Sequence, residues 1–82
     1  MPHALSPVMR RLIDTLQTTL PETEVRHLHQ LVETSQLPLA LEWIADAASQ
    51  RGLLHEPSLR QLLVQLGTQL GIAQSIRERL RG

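Results

Sequence analysis

Prolines divide this chain into leucine-rich stretches, and within each stretch the apolar residues recur three and four positions apart. That period marks amphipathic helices, and proline belongs at a helix start, where its missing N–H has no acceptor to lose. Pro7, Pro21, Pro38 and Pro57 therefore each predict a helix beginning. The first runs to about Thr19, with Ser6 as its cap and Val8, Met9, Leu12, Ile13, Leu16 and Leu20 on one face. The second runs to about Thr34, where "TSQL" ends it. It carries glutamates in its first turn, where the helix dipole favours negative charge, and turns Val25, Leu28, Leu31 and Val32 to one side.

The third helix, from Pro38 to about Arg51, differs from its neighbours. Its apolar positions, from Leu39 through Trp43 and Ile44 to Ala48, sweep about 240° of circumference at 100° per residue. A helix apolar over so wide an arc belongs at the centre of a bundle. Only a narrow stripe is left for solvent, held by Glu42, Asp46, Ser49 and Gln50, with Trp43 at its border. The fourth helix, from Pro57 to Gly71, sets Leu59, Leu62, Leu63, Leu66 and Leu70 in a stripe, with Gln61, Gln65 and Gln69 as an uncharged ladder beside it. Gly71 suits the left-handed position that ends a helix. Beyond it, the spacing of Ile72, Ile76 and Leu80 permits a short fifth helix, although terminal residues also tend to fray. The prediction is an all-α fold: a compact bundle of four helices, with that fifth C-terminal helix as an option.

Composition agrees with this reading and narrows it. Eighty-two residues allow one domain over 1–82, because a chain this short buries only about 60% of its unfolded surface. Apolar residues make up 41% of the chain, and Trp43 is the only aromatic, so the core is built from aliphatic side chains. The absence of cysteine removes disulfides, thiol nucleophiles and thiolate metal sites, and fits a reducing compartment. "MPHALSPVMRRLIDTL" lacks the layout of a secretory signal and no stretch is long and apolar enough to span a membrane, so a soluble cytoplasmic protein is expected.

Eight acidic and eight basic residues cancel in number but not in position. Between Glu22 and Gln50, the carboxylates Glu22, Glu24, Glu33, Glu42 and Asp46 face only Arg26, a balance of −4. Such asymmetry points to a charged partner. Glu42 and Asp46, four apart, stack on one side of a helix and repel one another unless a cation offsets them. General acid–base catalysis would need a cleft that separates their pKa values, and no other polar residues converge on them, so an enzyme is not predicted. A solvated stripe and a partner-binding stripe both remain open. Trp43 has a similar choice: its ring can fill space between helices, with its edge bordering the carboxylates, or it can anchor an interface.

Other constellations add less. His27 and His29, two apart, point about 200° away from each other on a helix and cannot share one ion, and His3 and His55 are distant in sequence, so neither metal nor cofactor is predicted. The arginines of "RERLRG", with Arg10 and Arg11, would suit phosphate, but no basic excess or recognition helix accompanies them; a solvated helix end is the plainer reading and nucleic acid is not the expected partner.

From about Val25 to Ile72, "HQLVETSQLPLALEWIADAASQRGLLHEPSLRQLLVQLGTQLGI" presents an apolar helix, a short turn, "ALE" followed by an apolar pair and an acidic position, then a leucine helix ending in "LG". In this it resembles the MafI-like immunity proteins encoded with polymorphic bacterial toxins. Two features depart from the family pattern: Leu37-Pro38 stands where a Gly-Glu is usual, and residues 73–82 extend beyond it. The resemblance implies a helical domain that binds and neutralises a cognate toxin, frequently a nuclease, inside the producing cell, and it carries over Glu42 and Asp46 with Trp43 adjoining. Glu33 is added on charge alone, since an acidic face can cover the cationic site with which a nuclease grips phosphates. The competing readings are a helical adaptor or homo-oligomeric scaffold with no toxin partner, a homodimer among them, and a small regulatory nucleic-acid binder.

Overall fold

A computed structural model describes residues 5–53 and 56–81. It contains five helices: α1 (Leu5–Leu16), α2 (Glu22–Glu33), α3 (Leu37–Gln50), α4 (Pro57–Leu70) and α5 (Ala73–Leu80). Among the described residues the fold is all-α, and the optional fifth C-terminal helix is present, making a bundle of five. The fifth helix forms because Ile76 and Leu80 are buried in the common core, which stabilises an eight-residue segment that would be marginal alone.

Helix α3 is the hub. It packs against each of the other four, and Leu37, Ala40, Leu41, Ile44, Ala45, Ala47 and Ala48 are all buried. Its four buried alanines keep its surface close to the backbone, so neighbouring helices approach from several directions without leaving voids. By contrast, α1 meets α2 and α3 while α4 meets α3 and α5, and α1 and α4 scarcely touch. The thinnest dimension of the molecule, 17 Å, admits two helix layers.

Several boundaries shift from those the pattern predicts. Ser6 does not cap α1 from outside but lies within its first turn, with Pro7 at the third position. Proline is accepted there because the first turn's N–H groups have no intrahelical acceptors. The same helix ends at Leu16, short of Thr19: the chain leaves through a turn over residues 17–20 ahead of Pro21, and this drops Leu20 into the core. Pro21 precedes α2, its carbonyl accepting from the N–H groups of Glu24 and Val25 at 3.1 Å each.

Two helices end in the same way. After α4, Gly71 adopts φ 78°, Ile72 N–H donates to Gly67 O at 2.8 Å and Gly71 N–H to Thr68 O at 3.2 Å. After α2, Ser35 adopts φ 63°, Gln36 N–H donates to Leu31 O at 2.8 Å and Ser35 N–H to Val32 O at 3.1 Å. Both are Schellman endings, which require a left-handed residue. A serine bears a steric cost there that glycine does not. Ser35→Gly is therefore expected to stabilise the fold by about 0.5 kcal/mol, net of the greater freedom of glycine in the unfolded chain. That corresponds to a rise of roughly 2–4 °C in thermal melting followed by circular dichroism, and an unchanged or lowered midpoint would refute it.

Candidate functional site

Because Glu42 and Asp46 are one helical turn apart, α3 brings their carboxylates to the same side. They do not form a bare stripe. Arg79 of α5 reaches across, with Nη1 2.5 Å from Asp46 Oδ2 and Nη2 3.9 Å from Glu42 Oε2. Ser75, one turn earlier on α5, donates its hydroxyl to Glu42 Oε2 at 2.8 Å and accepts from Arg79 Nε at 3.4 Å. Two positions four apart on α3 thus face two positions four apart on α5. The three charged side chains remain a quarter to a half exposed, so water screens the pairs. Glu42 Oε1 and Asp46 Oδ1 accept no hydrogen bond among the described residues, and each is available to a further donor.

Trp43 is half-buried and packs against the core. On its α2 side the ring meets His27, with centroids 4.4 Å apart and planes at 38°. His29 turns the other way, to Asp14 of α1 at 3.4 Å, so the two histidines serve different helix contacts. His3 and His55 lie outside the described residues. Among the described residues no group of three His, Asp or Glu is placed to hold a metal ion.

Around the edge of Trp43 runs an open groove of about 360 Å³ lined by Glu24, Leu39, Glu42, Asp46, Gln50 and Arg79. Glu24 comes from α2 and is itself paired with Arg51 at 3.3 Å. Leu39 is 46% exposed, more than any other large hydrophobic side chain among the described residues. Glu33 is not part of the groove. It lies exposed at the C-terminal end of α2, without an ion pair among the described residues, and there the helix dipole disfavours a carboxylate.

The structure therefore unites Glu42, Trp43 and Asp46, separates Glu33 from them, and adds Leu39, Glu24, Arg51, Ser75 and Arg79. Leu39 falls inside the apolar arc of the helical wheel, but no helix covers that part of α3. Arg79 stands three residues after the buried Ile76, about 60° around α5 from it, which puts it at the border of the stripe that docks the helix; that position is the trace in the sequence of its inward turn. Arg77 and Arg81 stay exposed, so the C-terminal arginines do not act as one patch. Chemically the arrangement is a charge clamp beside an exposed apolar side chain: it can hold two helices together and accept donors from a partner. No helix among the described residues is long and apolar enough to cross a membrane.

Comparison with family models, curated proteins and solved structures found no match to this chain.

Proposed function

We propose that this chain is a non-enzymatic immunity protein that binds a cognate bacterial toxin domain through the α3 groove and blocks its active site, acting in the cytoplasm of the producing cell. One observation carries the reading: Leu39 stands exposed beside the edge of Trp43, ringed by Glu24, Glu42 and Asp46. An apolar centre within a polar rim is the layout of a protein interface, and the adjoining Trp43 is of a residue type enriched at hot spots. The clamp softens the acidic character of the groove without removing it, since Glu24, Glu42 and Asp46 still outnumber Arg51 and Arg79. A surplus of that sign suits the cationic substrate path of a nuclease and speeds encounter with it.

The test is Leu39→Arg, which changes an exposed side chain and leaves the core intact. Against a toxic domain encoded immediately upstream, the variant is expected to bind about 30-fold more weakly by calorimetry, the loss typical of a hot-spot residue, and to protect co-expressing cells poorly. Its melting temperature should match the wild type. Full protection by the variant would remove the α3 groove from the mechanism, and the lack of any such toxic domain would remove the immunity reading itself.

A further inference from the structure

Where α1 and α4 fail to meet, a second groove of about 600 Å³ opens, walled by Val8, Leu12 and Leu16 on one side and Leu53, Leu59 and Leu62 on the other. The α4 wall is unlike an ordinary solvated helix. Its single charged residue, Arg60, points away, donating to the Leu80 carbonyl at 3.4 Å. At 100° per residue, Ser58, Gln65 and Gln69 stand next to Leu62, and Gln61 and Thr68 follow them around the helix. All five are exposed, so the α4 ridge that starts from Ser58 at the groove's edge is polar but uncharged along the length of the helix. Solvated faces normally carry charge, whereas the centres of protein interfaces are depleted of it.

Two charges line the groove, one of each sign on opposite walls: Arg11 on α1 and Glu56 at the entry to α4. Both are exposed and neither forms an ion pair among the described residues. That layout is self-complementary. A two-fold axis would bring Arg11 of each copy onto Glu56 of the other, satisfying both charges twice over, which is the condition an isologous interface must meet.

We propose that the α1–α4 groove is the interface of a homodimer of this chain, in which the uncharged α4 ridge of each copy lies in the α1–α4 gap of the other and Arg11 pairs with Glu56 across the two-fold axis. This surface is separate from the α3 groove, which is built by α2, α3 and α5, so dimerisation leaves that groove open.

Sedimentation equilibrium on the full chain tests the idea. The wild type should approach twice its 9.2 kDa mass as concentration rises. Arg11→Glu and Glu56→Arg, each alone, place like charges opposite one another and should weaken association about 10-fold or more, with unchanged circular dichroism. Mixed in equal amounts, the two variants should recover a species of twice the monomer mass, because opposite charges then face each other at both ends. A wild type that stays at monomer mass throughout overturns the proposal. Single variants that dimerise undiminished, or a mixture that does not associate, overturn the two-fold pairing. A monomer that enhances anilinonaphthalenesulfonate fluorescence, with the signal lost in Leu62→Arg, would assign the groove to a small amphiphile and likewise overturn the dimer.

Discussion

Gly67→Val is expected to lower the melting temperature by roughly 12–24 °C, corresponding to about 3 kcal/mol of overpacking in a domain of this size. Gly67 is buried in α4 at the point where α5 folds back against it. A Cβ at that position would lie 2.9 Å from Ile76 Cγ1, 3.3 Å from Ile76 Cβ and 3.3 Å from Ala73 Cα. Rotation can move the Cγ1 atom, but the other two are fixed to the α5 backbone, so the helix itself must retreat. Gly67→Ala is the graded control. Its smaller clash is offset by the gain of about 1 kcal/mol in helix propensity, so its midpoint should fall between those of the wild type and the valine variant. Amide exchange over residues 73–80 should accelerate in Gly67→Val before the rest of the chain responds. A valine variant melting within a few degrees of the wild type would show that the α4–α5 contact is looser than the structure has it.

The second large effect concerns the clamp. Glu42→Lys combined with Asp46→Lys removes both carboxylates that pair with Arg79 and the acceptor of Ser75, and sets two ammonium groups against the guanidinium. With allowance for screening at these partly exposed positions, the cost is about 2 kcal/mol, or roughly 8–16 °C in the midpoint. Adding Arg79→Glu reverses the sign on the α5 side and should restore more than half of the loss. If it restores nothing, the pairs contribute no stability and the clamp is incidental. This double lysine variant is the obvious probe of an acidic binding face, yet its loss of toxin protection would be ambiguous, since the fold suffers with the face. Leu39→Arg separates the two.

Much of the fold was legible along the chain because local period and proline placement suffice for it. The 240° apolar arc of residues 39–48 marked α3 as central, and its burial against all four neighbours agrees. α5 was legible only as an option. Eight residues have too little helical propensity to decide the matter, and what holds them is tertiary: the clearance at Gly67 and the burial of Ile76 and Leu80. The candidate site was half visible for a similar reason. Glu42, Trp43 and Asp46 lie within one turn and announce themselves together, whereas Arg79 is 33 residues beyond Asp46 and joins them only through the packing of α5 on α3. The exposure of Leu39 required knowing which part of the α3 circumference the other helices leave uncovered.

Arg79 also sets terms for whatever approaches the groove. As a counterion carried by the same molecule, it occupies the carboxylates at a local concentration that a free cation in solution cannot match, and any incoming arginine or lysine competes with this resident. A visitor offering charge alone gains little from the exchange. One that also covers Leu39 gains apolar burial that Arg79 does not oppose, so the fixed guanidinium acts as a filter against indiscriminate basic proteins and favours those shaped to the groove.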